Sequence, residues 1–249
     1  ASRWRHQDEA VIEFFEHRAG ILEMATGTGK TRTAIRIIER LVSEHSLKTA
    51  VVTTEGPDLL DQWAVQLDEL LIPRGWNVYR QYGSYKELAR YRHSNEKAVL
   101  VINRTSLKRL IDHEYSFDPS RALIVHDEVH GLGAPNYVTT LGGFHARFQW
   151  RLGLSATPER AYDDEGNNFI TNEIGPVLFE FPLEDAIERG ILTGFDYVPL
   201  EYELSEDDRR RISSVYSRQA ARAKSGNPMS EKELWIEISK VYKTAEQKP

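Results

Sequence analysis

Ala25-Thr26-Gly27-Thr28-Gly29-Lys30-Thr31 is the stretch from which the fold can be inferred. It follows the short apolar run Ile21–Met24 and opens into a helix-compatible segment, Thr31–Leu41. A strand, a glycine-bearing turn and a helix start are typical of a phosphate-binding loop, because glycine lets backbone N–H groups turn inward and the helix N-terminus adds positive potential. The stretch therefore predicts a nucleotide-binding loop over Thr26–Thr31.

Two side chains of this loop have predicted roles of their own. Lys30 is expected to reach the terminal phosphates of the nucleotide, and the Thr31 hydroxyl is expected to bind Mg²⁺. The loop departs from the usual pattern at one position, because Met24 stands where the first glycine is expected. Gly27 and Gly29 are both present, so the backbone requirement of the loop is kept.

An acidic pair at the end of another apolar run supplies the second half of a nucleotide site. The run Ala122–His126 leads directly into Asp127 and Glu128. Asp127 is expected to hold Mg²⁺, and Glu128 is expected to act as the general base that orients the attacking water. The segment Leu154-Ser155-Ala156-Thr157-Pro158 ends the next apolar run with two hydroxyls and a proline. The string alone is also typical of an ordinary strand-to-loop turn, but its position on the strand after the acidic pair favours a relay between nucleotide and substrate.

A zinc site is the alternative interpretation of the acidic segment. His126 and His130 stand four residues apart with acids between them, which is the spacing of a zinc-binding helix. The preceding Leu123–Val125 favours a strand instead, and Gly131 follows His130 at once. We therefore expect His126 to be a packed residue at a strand end.

Apolar runs alternate with helical patterns along most of the chain, which predicts an α/β domain with a mostly parallel, doubly wound sheet. The predicted strands are Ile21–Met24, Thr49–Thr54, Asn77–Tyr82, Ala98–Ile102, Ala122–His126 and Gln149–Ser155. The predicted helices are an amphipathic one ending at Gly20 and those over Thr31–Ser43, Asp58–Leu71, Tyr85–Arg92, Thr105–Ile111 and Asn136–His145. The acidic segment 163–168 is expected to be a solvated loop.

The pattern changes after Pro182. A short helix begins at Leu183, a strand is expected over Phe195–Leu204, and two helices begin at Ser205 and Ser230. Residues 1–204 are thus expected to form the α/β domain, and residues 205–249 a helical appendage.

Composition limits the possible functions. The net charge of −6 argues against a general basic binder of nucleic acid, although it permits a local groove. The absence of cysteine excludes disulfides, thiolate metal sites and cysteine catalysis. No apolar run is long enough to span a bilayer, so no membrane partner is expected, and a cytoplasmic, nucleoid or nuclear location is the expectation.

The order of motifs resembles the first RecA-like motor domain of superfamily 2 helicases and translocases, nearest to the group with excision-repair helicases and type III restriction subunits. The motifs that carry this resemblance are WRHQ (4–7), ATGTGKT (25–31), VVTTEGPDLLDQW (51–63), VINRTSL (101–107), DEVH (127–130) and LSATPER (154–160). The resemblance implies a RecA-like P-loop fold, use of ATP and Mg²⁺, and movement on nucleic acid, with DNA favoured over RNA.

The resemblance also implies roles for particular residues. Gln7, with Arg5, matches the residues that read the adenine base, although His6 stands where an aromatic residue is usual. His130, Ser155 and Thr157 match positions that couple nucleotide state to the rest of the motor. Residues in segments that contact the nucleic-acid backbone are Thr53, Thr54, Gln62, Arg104, Thr105 and Ser106.

Such motors close two RecA-like lobes over ATP, and the second lobe supplies arginines to the phosphate. After Leu204 the sequence is too short for a second lobe. The chain alone is therefore expected to bind nucleotide weakly and to hydrolyse it poorly. The alternatives are a docking module that does not hydrolyse nucleotide, an RNA helicase, and a metabolic P-loop kinase.

Overall fold

The structure, a computed structural model, describes residues 4–94, 97–110, 118–194 and 204–246. It divides into two compact units. The first comprises Ala1–Arg160 with Asp164–Gly194, and the second comprises Ala161–Asp163 with Phe195–Pro249. The strand predicted over Phe195–Leu204 lies outside the described residues except for Leu204.

The first unit is built on a seven-stranded sheet in which every pairing is parallel. Its strands β1 to β7 are Ala19–Met24, Thr49–Thr54, Asn77–Gln81, Ala98–Asn103, Ala122–Asp127, Trp150–Ser155 and Val177–Phe181. Their order across the sheet is β3-β4-β2-β5-β6-β1-β7. Six of these strands are the predicted ones, and the parallel α/β class is confirmed.

Helices of the first unit cover both faces of this sheet. Helices α1 to α9 are Arg5–His17, Lys30–Glu44, Pro57–Leu71, Leu88–Arg92, Pro135–Thr140, Asp164–Glu173, Leu183–Glu188, Glu206–Lys224 and Glu231–Glu246. Short 3₁₀ helices span Ile72–Arg74, Arg104–Leu110, Pro119–Arg121, Val129–Gly133 and Phe144–Arg147. No described helix has the length and apolar character needed to cross a membrane.

The two faces have separate apolar cores, as expected for a doubly wound sheet. Helices α1, α2 and α3 bury one face, where Phe14, Ile37 and Leu60 are fully buried among the strands. The other face is covered by the segments that carry Leu107, Phe148 and neighbouring residues. Each fully buried side chain of this kind contributes about 1.5–3 kcal/mol to folding. Strands β2 and β5 are buried at every position, which explains why neither alternates apolar and polar residues along its length.

Three local predictions are wrong, and one strand is missing from the prediction. The acidic segment expected as a solvated loop begins helix α6, because Ile170 and Gly166 pack against the core while Asp164 and Glu165 occupy the first turn. The helix predicted over Thr105–Ile111 is a 3₁₀ helix in its described part. The helix predicted over Tyr85–Arg92 is shorter than expected, because only Leu88–Arg92 is helical. Strand β7, Val177–Phe181, is absent from the predicted strands.

The second unit contains α8 and α9, which pack on each other. Both helices begin with a serine cap: Ser205 Oγ accepts from Asp208 N, and Ser230 Oγ accepts from Glu233 N, each at 3.2 Å. The predicted helix starts at Ser205 and Ser230 are confirmed. The chain reverses at Gly226, whose φ of +78° is the left-handed conformation that glycine adopts readily.

Candidate nucleotide site

The predicted phosphate loop connects the end of β1 to the start of α2. Gly27 and Gly29 both have left-handed φ values, +86° and +97°. A side chain at Gly29 would overlap the amide of Gln7, so this position has no room for a Cβ. Thr28 is buried, and its hydroxyl donates to the Ala25 carbonyl at 2.6 Å, which closes the loop on itself.

Lys30 folds back over this loop. Its Nζ donates to the Met24 carbonyl at 3.2 Å, so the ammonium group lies at the carboxyl end of β1. Thr31, the next residue, lies half-buried in the first turn of α2. The structure thus places Lys30, the predicted phosphate residue, and Thr31, the predicted magnesium residue, at the start of α2. The N–H groups of a helix start are also able to bind an anion.

The acidic pair stands at the end of β5. Asp127 is almost fully buried, and its Oδ2 accepts from the indole Nε1 of Trp63 at 2.8 Å. Its Oδ1 accepts from the backbone N–H of Glu128 at 3.0 Å. These two bonds fix the orientation of the carboxylate, while an ionised carboxylate still has lone pairs left for a cation. Trp63 is a residue that sequence reasoning missed, since nothing in its helical segment indicated this partner.

Glu128 has an unusual backbone conformation for a residue with a side chain. Its φ of 48° and ψ of 59° lie in the left-handed region. Such a conformation costs on the order of 1–3 kcal/mol, and it persists only where the surroundings enforce it. The Glu128 side chain is 40% exposed, in contrast to the buried Asp127 beside it. The two carboxylates therefore have separate environments, one fixed and dry and the other open to solvent.

The strand register brings the loop and the acidic pair to one edge of the sheet. Strand β6 lies between β1 and β5, and Leu154 is paired with both Leu22 and Asp127. Adjacent strands are about 4.8 Å apart, so the ends of β1 and β5 are separated by roughly 10 Å. The carboxyl edge of a parallel sheet is the usual position of a ligand site. Lys30 and the acidic pair thus flank the same short stretch of this edge.

The predicted coupling residues meet beside Glu128. His130 Nδ1 lies 3.2 Å from Ser155 Oγ and 3.5 Å from the Glu128 carboxylate. The backbone N–H of Thr157 donates to the same Ser155 Oγ at 3.1 Å. The three residues and the acidic motif therefore form one connected polar group at the ends of β5 and β6, and their coupling role stays a prediction.

The predicted adenine residues are not brought together. Gln7 is buried, and its Nε2 donates to the Thr28 carbonyl at 3.1 Å, so the amide supports the phosphate loop. Arg5 lies on the exposed face of α1 and pairs with Glu9 at 2.8 Å. His6 is the residue that joins Gln7: its Nε2 is 2.9 Å from the same Thr28 carbonyl, and its ring stacks on Phe181. Arg5 and Gln7 therefore lie in different environments, and their role in reading the adenine base stays a prediction.

The predicted nucleic-acid residues divide by exposure. Gln62 and Thr105 are exposed and Ser106 is half-buried, so their contacts stay a prediction. Thr53, Thr54 and Arg104 are buried, which corrects the expectation that their side chains meet the nucleic-acid backbone. The two threonines occupy the last positions of a strand that is covered on both faces.

The zinc interpretation is excluded by the fold of its two histidines. His126 lies within β5 and His130 lies in a 3₁₀ helix, and among the described residues they do not form a metal-ligand group. His126 is buried, with its Nε2 3.0 Å from Nε2 of His145. His145 Nδ1 in turn lies 2.7 Å from the Glu173 carboxylate. His126 is therefore a packed residue near the end of β5, as the sequence analysis expected.

We expect this buried histidine pair to make folding stability depend on pH. Burial lowers the pKa of His145, although Glu173 opposes the shift, and burial lowers the pKa of His126 further. As pH falls below about 6.5 the unfolded chain binds these protons first, so the folded state loses up to about 1.4 kcal/mol per histidine and pH unit. Urea unfolding followed by circular dichroism should show a loss of about 1–3 kcal/mol between pH 7.5 and 5.5.

The control for this prediction is an exposed histidine. H145Q should flatten the pH dependence of the unfolding free energy over this interval, whereas H93Q at an exposed position should keep it. The lowered pKa of Glu173 acts only at more acidic pH, because its stabilisation is lost as pH falls below the ordinary range of a carboxyl group. An equal slope in the wild-type protein and H145Q would contradict the prediction.

Comparison with known proteins agrees with this arrangement. Residues 3–160 match the family described as type III restriction enzyme, res subunit. The DNA 3'-5' translocase XPB2 of Sulfurisphaera tokodaii is 25% identical over 218 residues, which cover 84% of this chain and 42% of that protein. The DNA 3'-5' helicase XPB of Kineococcus radiotolerans is 28% identical over 205 residues, covering 82% and 34%. The chain thus spans less than half the length of these two relatives.

Solved structures with the same fold include the Hef helicase domain of Pyrococcus furiosus. Its TM-score is 0.59 at 20% identity, covering 97% of this chain and 54% of that one. The SWI2/SNF2 ATPase core of Sulfolobus solfataricus, solved with dsDNA, has a TM-score of 0.51 at 14% identity, covering 97% and 44%. These likenesses confirm the predicted RecA-like fold class. Since the family match covers well over half of its residues, the chain belongs to the family of the type III restriction enzyme res subunit.

Proposed function

We propose that this chain is the ATP-binding motor lobe of an ATP-dependent DNA helicase or translocase of superfamily 2. The observation that carries the proposal is the meeting of three motifs at one sheet edge. The phosphate loop follows β1, the Asp127–Glu128 pair ends β5, and Ser155 ends β6 between them. A hydrolase that moves on a polymer needs all three: a phosphate site, a base, and a connection from that base to the rest of the protein.

The residues present fit ATP with Mg²⁺. Gly29 leaves space where a Cβ would collide with Gln7, and Lys30 together with the start of α2 offers positive charge to phosphate. Thr31 and Asp127 would hold the ion, because hydroxyl and carboxylate oxygens are the ligands that Mg²⁺ prefers. When bound, Mg²⁺ draws negative charge from the phosphate oxygens. Glu128, exposed and next to the fixed Asp127, would accept a proton from the attacking water.

We further propose that the partners of this lobe are DNA and a second RecA-like lobe of the same protein. The preference for DNA rests on the relatives, whose names specify DNA translocase and DNA helicase activity. A second lobe would supply arginines to the transferred phosphate, and such arginines are worth roughly 10³–10⁵ in rate in other phosphoryl-transfer systems.

The test is ATP hydrolysis by the whole protein in the presence of different polymers. We expect single-stranded or duplex DNA to stimulate phosphate release more than RNA of the same sequence. Equal or greater stimulation by RNA would assign the motor to RNA. Nucleotide binding without hydrolysis would favour a docking module, and phosphate transfer to a small metabolite without any response to polymer would favour a kinase.

A further inference from the structure

Arg104 is a buried arginine beside the acidic pair, and the site described above gives it no role. It follows β4 directly, at the start of the 3₁₀ helix Arg104–Leu110, and its exposure is 1%. Because β2 separates β4 from β5, its side chain crosses the end of one whole strand to reach the acidic motif. A buried arginine needs partners that offset its desolvation, because removing a charge from water costs several kcal/mol.

The guanidinium of Arg104 holds the peptide on both sides of the general base. Nη2 donates to the carbonyl of Asp127 at 2.6 Å and to the carbonyl of Glu128 at 3.0 Å. These two carbonyls bracket the backbone turn at which Glu128 adopts its left-handed conformation. A planar guanidinium with several fixed donors can hold two acceptors at once, which an ammonium group cannot do with the same geometry.

The other side of the guanidinium faces Glu55. Nη1 donates to the Glu55 carboxylate at 3.3 Å, and the Tyr137 hydroxyl donates to the same oxygen at 3.3 Å. Burial lowers the pKa of the Arg104 guanidinium, and the charge of Glu55 opposes that shift, so this carboxylate is the counter-charge of the buried group. The Glu55 side chain is 55% exposed, and this residue directly follows the last residue of β2. One carboxylate thus connects the surface to the buried arginine.

Little space exists for an alternative arrangement around the guanidinium. A Cβ at Gly131, in the 3₁₀ helix that follows the acidic pair, would overlap Arg104 Nη1.

Glu55 also lies within the segment 51–63, whose exposed Gln62 is a predicted nucleic-acid contact. A polyanion bound along this segment would bring negative charge close to the exposed Glu55 carboxylate.

We propose that Arg104 is a positioning residue for Glu128, and that the Glu55–Arg104 pair carries the effect of nucleic-acid binding to this general base. The inference rests on the proposed function and deepens it. The Arg104 side chain joins the exposed Glu55 carboxylate to the backbone of Glu128. Glu55 lies in the segment 51–63, which contains the predicted nucleic-acid contact Gln62. Coupling free energies between two sites typically correspond to a factor of roughly 5–150 in affinity or rate.

Two substitutions test the proposal in the whole protein. R104K keeps the charge but loses the fork, so we expect kcat for ATP hydrolysis to fall roughly 10- to 100-fold, because small displacements of a catalytic group have effects of this size. KM for ATP and the Kd of a non-hydrolysable ATP analogue should stay within about twofold, since no phosphate residue is altered. E55Q should lower the ratio of DNA-stimulated to unstimulated kcat by about fivefold or more.

Matched substitutions away from the site are the controls. R80K alters a partly buried arginine that pairs with Asp68, and E69Q alters a glutamate on α3. Both should keep the wild-type kcat and the wild-type stimulation ratio. Thermal unfolding of each variant reports whether it is folded, and if R104K does not fold, E55Q at an exposed position decides the proposal.

The outcomes separate this inference from the proposed function. Wild-type stimulation by DNA together with unchanged kcat in R104K and an unchanged ratio in E55Q would overturn the inference alone. A parallel loss of nucleotide affinity and kcat in R104K would also overturn it, because Arg104 would then support the fold of the site and not the placement of its base. A wild-type protein whose ATP hydrolysis ignores all polymers would overturn both.

Discussion

Replacing Glu128 with glutamine is expected to lower the rate of ATP hydrolysis by roughly 10²–10⁴-fold, which is the usual contribution of a positioned general base. Glutamine has nearly the same shape but cannot accept the proton of the attacking water. The side chain is 40% exposed and the phosphate loop is untouched, so the Kd for Mg·ATP should stay within a few-fold of the wild-type value. Single-turnover hydrolysis and equilibrium nucleotide binding, measured on the same preparation, test both parts.

The matched control is E44Q, which makes the same chemical change at an exposed glutamate near the end of α2. It should hydrolyse ATP at the wild-type rate. A rate in E128Q equal to that of E44Q and the wild-type protein would remove Glu128 from the chemistry. It would favour a docking module that does not hydrolyse nucleotide, with any measured activity coming from a contaminating ATPase.

Replacing Lys30 with alanine is expected to weaken binding of Mg·ATP by roughly 10- to 100-fold, because a hydrogen bond to a charged group is worth about 1.5–3 kcal/mol. Lys30 is the only cationic side chain of the phosphate loop itself. Its present hydrogen bond is a single one to the Met24 carbonyl, so its loss should leave the melting temperature of the free protein nearly unchanged. Titration with a fluorescent ATP analogue measures the affinity directly.

Lys86 provides a close control for this substitution. It is an exposed lysine that also donates one hydrogen bond to a backbone carbonyl, that of Gly83 at 3.0 Å. K86A should bind the nucleotide with wild-type affinity. Equal affinities for K30A and the wild-type protein would mean that the loop does not hold the terminal phosphates.

The sequence allowed the central part of the fold to be predicted because its signals are local. Strand β5 begins with the apolar run Ala122–Val125, and β2 is rich in β-branched residues without alternation; such sequences occur where a strand is covered on both faces. The loop before α2 carries its glycines at positions where backbone N–H groups must turn inward. The edge strand β7 was missed because only Phe181 among its five residues is buried, so its pattern resembles a surface segment.

The acidic segment before Ile170 shows a different limit. Three acids, a glycine and two asparagines are common in loops, and their helical state depends on tertiary packing of Ile170 against the second core. Composition alone gives no sign of such a partner. The starts of α8 and α9 show the opposite case. Their serine caps are local hydrogen bonds, so the positions of these helix starts could be predicted from the sequence.

The residues that form the candidate site could be predicted from the sequence, whereas most of the contacts that hold them in place could not. Lys30, Asp127 and Glu128 were found because phosphate chemistry requires those residue types at those places. The partner of Asp127 is Trp63, which is 64 positions earlier, and no periodicity reports a contact of that range. The resemblance placed Arg104 in a segment that contacts nucleic acid, whereas its buried guanidinium donates to two backbone carbonyls and one carboxylate.

The position of β1 between β6 and β7 has a consequence for how the protein is made. Of the seven strands of the sheet, β1 comes first along the chain, yet its two neighbours in the sheet, β6 and β7, come from residues 150–181. At about 5–20 residues per second, translation needs on the order of ten seconds to deliver them. During that interval both edges of β1 lack their native partners, a state that invites pairing with foreign strands. A nascent chain that stops before β6 therefore carries Lys30 without the strand that lies between β1 and β5, so the phosphate loop and the acidic pair do not yet lie at one sheet edge.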